Sequence, residues 1–151
     1  MPDLPVSNDP AIRPVAVVAV VVHDGRLLVI RRSQMVRAPG MFCFPGGALE
    51  PGESEEAALL REMREEVGLA VQPVRLLHVS TTPWQVEIRW WLAAAAELKF
   101  LLHPGEVESI HWYTPRELLA LEGVLESNQA FLVAWQRGAF EIDGLPRPRL
   151  A

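Results

Sequence analysis

Residues 15–22 read VAVVAVVV, an unbroken apolar run rich in β-branched side chains, set between Pro14 and the dipeptide Asp24-Gly25. At eight residues the run is far short of the roughly twenty needed to span a bilayer. Its length and branching make it a buried strand instead. Asp24-Gly25 is a strong signal for a tight hairpin, so residues 26–32 (RLLVIRR) return as a second strand.

The remainder alternates strands with a few helices. Residues 33–40 form a polar loop, 41–44 a brief extended piece stopped by Pro45-Gly46-Gly47, and 48–52 another loop. A helix follows, with Ser54 as its N-cap, Glu55 and Glu56 in the first turn, and Gly68 as its stop. Residues 71–80 read as a strand disturbed at Pro73. Residues 84–96 read as a long strand in which Gln85, Glu87 and Arg89 alternate with Val86, Ile88 and Trp90, and 110–113 as a short one. Thr114-Pro115 opens a helix, and 127–137 form a final helix ended by Gly138. This order predicts an α/β or α+β layered fold in one domain, residues 15–141, between a flexible arm (1–14) and a Pro/Arg-rich tail (142–151).

The formal charge of the chain is −5, so the whole molecule has no bulk attraction for nucleic acid or an anionic membrane. A polyanionic ligand must be met locally, by metal ions or by placed arginines; the chain has thirteen Arg and a single Lys, Lys99. Arg31 and Arg32 end the second strand and are candidates for phosphate contact. Trp84, after Thr81-Thr82-Pro83, is a candidate for stacking on a base. The other tryptophans are expected in the core, and the four histidines have no metal-ligand spacing. A lone cysteine, Cys43, forms no internal disulfide and fits a reducing cytoplasm; flanked by Phe42 and Phe44, it is expected to be half-buried rather than nucleophilic. The first residues lack the basic start and apolar run of a signal peptide.

Chemistry concentrates in residues 47–69, GALEPGESEEAALLREMREEVGL. On a helix, Glu62, Glu65 and Glu66 share one arc, with Leu60, Met63 and Val67 gathered on the other side. Three carboxylates so spaced repel one another. Arg61 and Arg64 offset part of this, and a divalent cation would offset more. Magnesium takes one or two carboxylates, waters and substrate phosphates, so such a rim beside a pocket suits phosphate chemistry. Gly46-Gly47 lets the backbone approach a ligand closely.

This segment resembles the Nudix box. Gly47 is followed after five residues by Glu53, after seven more by Arg61-Glu62, then by Met63, Glu65-Glu66, Gly68 and Leu69, with no departure from the pattern. Similarity extends to residues 39–47 before the box, with Phe42 where Trp is common, and to the acidic-aromatic stretch 106–118, so that it covers about residues 15–120. Arg32-Ser33 and Arg37 also partly match the motif of coenzyme A pyrophosphatases, but the spacing from Arg37 to Gly40 is one residue short.

The resemblance implies a Nudix-like α/β/α sandwich with a central mixed sheet and the box as loop-helix-loop. It implies a hydrolase of a nucleotide-like diphosphate that uses Mg2+, or Mn2+ in its place. Glu62, Glu65 and Glu66 would be the metal ligands, joined by the Gly46 carbonyl; Glu53 would support the site and Arg61 orient the carboxylates. The general base would be a box glutamate or Glu106, and Glu106 is preferred. A small-molecule substrate, no stable nucleic-acid or membrane binding, and a monomer or homodimer are expected. Two other readings belong to the same scaffold, a diphosphate isomerase and a nucleotide-sensing module; the intact set of glutamates argues against the second.

Overall fold

The computed structural model describes residues 13–149. Of the expected arm only Arg13 and Pro14 fall within the described residues. Seven strands among them form one sheet: β1 (Val15–His23), β2 (Arg26–Arg32), β3 (Phe42–Cys43), β4 (Gly46–Ala48), β5 (Gln72–Thr81), β6 (Glu87–Ala94) and β7 (Val107–Tyr113). The main order is β3-β2-β1-β6-β5, with β4 paired to β1 and β7 to β2. Three helices pack on it: α1 (Glu55–Val67), α2 (Pro115–Ala120) and α3 (Glu126–Gln136).

β1 is unbroken in its hydrophobicity because both of its faces are covered. Ala16, Val18 and Val20 join one core with Phe131, Leu132 and Trp135 of α3 and Leu118 of α2. Val17, Ala19 and Val21 join the other, with Ala58, Leu59, Met63 and Val67 of α1. The molecule is thus an α/β/α sandwich. β1 runs parallel to β6 from Val15↔Glu87 to Val21↔Ala93, and the remaining strand pairs are antiparallel, so the sheet is mixed. No helix among the described residues is long and apolar enough to cross a membrane.

Several local expectations are revised. The glycine pair does not merely stop a strand: Gly46 and Gly47 are themselves strand β4, facing Val18 and Val17. An added Cβ on Gly46 would lie on the Val17 carbonyl, so only glycine permits this approach. β6 begins at Glu87, because Gln85 has φ +69° and turns the chain there. The inward stripe of α1 includes Leu59, while Leu60 points outward and is 43% exposed. Cys43 is buried, not half-buried. Ile142 and Leu145, which the sequence assigns to the tail, pack in the α3-side core, and Arg75 of β5 pairs with Asp143 at 2.8 Å.

Candidate active site

The box helix is placed at both ends. Ser54 accepts a hydrogen bond from the Ala57 N–H at 3.1 Å and caps the N-terminus. Gly68 closes the C-terminus at φ +70°. The backbone N–H groups of Leu101 and His103 then donate to the carbonyls of Val67 and Glu66 at 2.7 and 2.9 Å, so the end of the helix is tied into the loop that leads to β7. In the first turn, Glu55 accepts from Arg89 Nε at 2.9 Å and from the Trp91 indole at 3.0 Å, both on β6.

The three carboxylates predicted to share a rim divide between two environments. Glu62 and Glu66, one turn apart, face inward and are buried, whereas the Glu65 side chain is 55% exposed. The Glu62 carboxylate sits so close to Gly47 that an added Cβ there would fall inside it. Glu66 Oε1 accepts from the Gly46 N–H at 2.8 Å; Gly46 therefore acts here through its N–H. Glu62 Oε2 is buried and has no hydrogen-bond partner among the described residues.

Arg61 is the hub of this arrangement. Its Nε and Nη2 form a bidentate pair with Glu53 at 2.7 and 2.8 Å, and Nη2 also reaches the Ala48 carbonyl at 3.0 Å. Nη1 donates to Glu62 at 3.0 Å and to Glu65 at 3.2 Å. All five N–H donors of the guanidinium are thereby engaged. The residues between Gly47 and α1 are held by the same cation that orients two of the carboxylates.

Burial and charge tune these groups in opposite directions. The hydrogen bond from Arg61 holds Glu53 below the ordinary carboxylate range, and Arg61 in turn is raised, chiefly by Glu53. At Glu62 burial outweighs the neighbouring arginine and pushes the carboxyl up, with the charges of Glu65 and Glu106 adding to the effect. Glu66 is pushed up to about 8, first by burial and then by the charge of Glu62, against the stabilising Gly46 N–H.

No three acidic, histidine or cysteine side chains among the described residues converge as a closed metal cage. Arg61 stands between Glu62 and Glu65, and Glu66 is turned to Gly46. The donor set nevertheless suits a hard cation. It consists of oxygen ligands, and one buried carboxylate oxygen lacks a partner. Magnesium also needs only one or two carboxylates and completes its shell with water and phosphate.

A cleft of about 470 Å³ opens on the other face of β1. Phe44, Met41 and Ile88 give it apolar walls, and Arg32, Trp84 and Asn128 contribute to its lining. Only Pro45 separates Phe44, in this wall, from Gly46, in contact with Glu66. Arg32 is buried, and its Nε donates to the Arg37 carbonyl at 2.7 Å. Arg31 lies elsewhere: it donates to the Gly40 carbonyl, pairs with Glu108 at 3.3 Å and sits over the Phe42 ring. The structure thus separates two arginines that are neighbours and equivalent candidates in the sequence. Glu106 is half-buried, on the loop where its backbone carbonyl accepts from Ser33 at 2.9 Å.

Asn128 was missed by sequence reasoning. It is buried, and its Oδ1 accepts from the Phe44 N–H at 2.8 Å, fixing the strand that leads to the glycine pair. The signal is present in the sequence: Asn128 falls on the inward stripe of α3 with Phe131, Leu132 and Trp135, and a polar residue at a core position requires a partner.

Comparison with known proteins agrees with this architecture. Residues 12–136 match the NUDIX domain. Over 113 residues the chain is 33% identical to the NAD-capped RNA hydrolase NUDT12 of Pongo abelii, an overlap of 73% of this chain and 24% of that protein. Over 112 residues it is 33% identical to the NAD-capped RNA hydrolase NudC of Deinococcus radiodurans, covering 72% of this chain and 39% of that one. The chain therefore spans well under half the length of these relatives. The crystal structure of a MutT protein from Methanosarcina mazei superposes with a TM-score of 0.70 at 21% identity, over 85% of this chain and 96% of that one. The matched domain, the sandwich and the box helix under its glycine strand make the chain a member of the Nudix hydrolase family.

Proposed function

We propose that the chain is a pyrophosphohydrolase, dependent on Mg2+ or Mn2+, that cuts the diphosphate linkage of a nucleoside diphosphate joined to a further moiety. The observation that carries this reading is the pair of buried carboxylates, Glu62 and Glu66, packed under Gly47 and Gly46 with one oxygen of Glu62 unsatisfied. A buried carboxylate oxygen left without a hydrogen-bond partner, as Glu62 Oε2 is among the described residues, is costly, and an apolar residue would fill the space at less cost. The names of the relatives, both hydrolases of NAD-capped RNA, support a substrate with a diphosphate bridge.

In this reading Glu62, Glu65 and Glu66 hold the metal, and the Gly46 carbonyl is a further oxygen available to it. Arg61 releases its Nη1 contacts while Glu53 keeps hold of the rest of the guanidinium, so the helix and its loop stay in register. When bound, such an ion clamps phosphate oxygens and acidifies the attacking water. Glu106, whose charge is felt at Glu62, is assigned to take the proton from that water. Arg32, buried in the cleft wall, steadies a phosphate on its way to the carboxylates, and Trp84 stacks on the base. Arg31, engaged with Glu108 and Phe42, supports the loop that ends at Gly40 and lies outside the cleft lining. The fully buried thiol of Cys43 suits a reducing cytoplasm.

A panel of diphosphate compounds, assayed in magnesium, in excess chelator and after magnesium is restored, tests the proposal. Cleavage that disappears in chelator and returns with the ion is expected; full activity in chelator would sink it. Hydrolysis of an accepted substrate in 18O-water should place the label on a phosphate product. Label in a sugar hydroxyl, or a rearranged diphosphate with no water incorporated, would overturn attack by water at phosphorus.

A further inference from the structure

A second hollow of about 190 Å³ adjoins the cleft, and the two share Thr82, Trp84, Glu126 and Ser127. Trp84 is 53% exposed there, with no partner for its indole N–H among the described residues. Glu126 is the first residue of α3 and makes no ion pair among the described residues. A carboxylate at a helix N-terminus is favourable for the helix itself. In a cleft meant for a polyanion, however, it repels phosphate.

The charged residues lining the cleft are two arginines, Arg32 and Arg37, joined by the hydrogen bond from Arg32 Nε to the Arg37 carbonyl, and one carboxylate, Glu126. Arg32 lies at the wall next to Cys43 and Phe44, the side from which the chain leads to Gly46 and the carboxylates. Glu126 lies with Trp84 where the second hollow joins. If the diphosphate occupies the Arg32 side, as the proposed function requires, Glu126 meets the opposite end of the substrate. A carboxylate accepts hydrogen bonds and offers none, so what it meets must carry N–H or O–H donors.

We infer that Trp84 and Glu126 form a subsite for a planar base with two adjacent N–H donors on one edge, as guanine has in its ring N–H and exocyclic amine. Trp84 takes the face of the ring and Glu126 accepts from its edge. The stacking surface tolerates any base; selectivity comes from Glu126, since a donor-poor edge leaves the carboxylate facing lone pairs. This rests on the pyrophosphohydrolase reading for the position of the phosphates.

GMP and IMP differ only in the exocyclic amine and have no diphosphate bond to cut. Their affinities can be measured calorimetrically in magnesium for the wild type, Glu126→Gln and Trp84→Ala. Wild type should bind GMP about tenfold more tightly than IMP, the size expected of a hydrogen bond to a charged acceptor. Glu126→Gln should narrow that gap to about twofold or less, on the same scale, weakening IMP, which keeps the ring N–H, by a smaller factor than GMP. Trp84→Ala should weaken both ligands alike. Circular dichroism confirms folding, and Glu126 is an exposed side chain. Equal binding of GMP and IMP by wild type, or a preference that survives in Glu126→Gln, would overturn the subsite. Cleavage of diphosphates irrespective of base would remove the subsite alone, whereas a folded protein that cleaves no diphosphate in magnesium would remove the catalytic reading beneath it.

Discussion

The two faces of β1 are built on different principles. On the α1 side, a single arginine engages five acceptors, and nearly every polar group comes from residues 46–66. On the α3 side, the cleft is mostly apolar, and its polar residues come from positions as far apart as 32, 82 and 128. The first region is prearranged and local in sequence; the second is assembled by the fold from loops and a helix end. In the proposed function, such a division would let the carboxylate side stay constant while the cleft side changes residue by residue.

The sharpest way to break this contrast is Glu66→Gln. The substitution keeps size and removes the charge a cation needs. Turnover should fall by several orders of magnitude, each 1.36 kcal/mol of barrier being about tenfold in rate, in a protein whose circular dichroism is unchanged. Wild-type turnover by the folded variant would exclude Glu66 from the ligand set. Gly47→Ala comes next. Its methyl would enter the space of the Glu62 carboxylate, costing about 1–3 kcal/mol of stability as overpacking does and displacing a proposed metal ligand, so kcat should fall far more than KM rises. An unchanged kcat would show that Glu62 is free to move aside.

On the cleft side effects should be smaller and of another kind. Arg32→Ala should raise KM about tenfold with kcat nearly retained, since hydrogen bonds to charged groups contribute about 1.5–3 kcal/mol. Kinetics on one accepted substrate decide it; a loss confined to kcat would place Arg32 in the reaction rather than in binding.

The smallest effect distinguishes the two sides by pH. The folded-state pKa values of Glu62 and Glu66 are raised above their unfolded values. Between the ordinary carboxylate range and about 8 for Glu66, the folded metal-free protein holds more protons than the unfolded chain. Its stability is therefore greatest at the acid end of that window and declines as pH rises through it. Magnesium favours the ionised carboxylates and should flatten the decline, by about 2–4 °C in Tm per kcal/mol recovered. Melting curves at pH 5, 6.5 and 8, with and without the ion, test this; identical slopes in both series would contradict it.

The same contrast governs how much of the molecule is legible in its sequence. α1 is legible from Ser54 to Gly68 because caps, periodicity and stop all lie within the segment. The box glutamates are legible by type and spacing. Their division into buried Glu62 and Glu66 and exposed Glu65 is not, because it depends on β4 lying over one edge of the helix. The glycine pair reads as a break, since β4 gains its pairing from β1, a distant stretch of the chain. Arg31 and Arg32 are equal in type and, as strand neighbours, point to opposite faces; which face leads to the cleft depends on the fold, which sets Arg31 on the Phe42 ring and Arg32 in the cleft lining. Asn128 shows in the sequence only as a polar residue on the inward stripe of α3, and Glu126 gives no local sign, because the cleft they line is completed by β1, β6 and residues 32–44.

Cys43 carries a practical consequence. It is the sole thiol of the chain, wholly buried beside Phe44, with its pKa pushed up to about 11, first by burial and then by the charge of Glu66. At neutral pH almost none of it is thiolate, and the buried sulfur is out of a labelling reagent's reach in the folded protein. Alkylation must then wait for local opening, so its rate reports the open population. The thiol is a reporter already in place, and slower labelling once magnesium or a nucleotide is added would show how far each ligand suppresses local opening around β3.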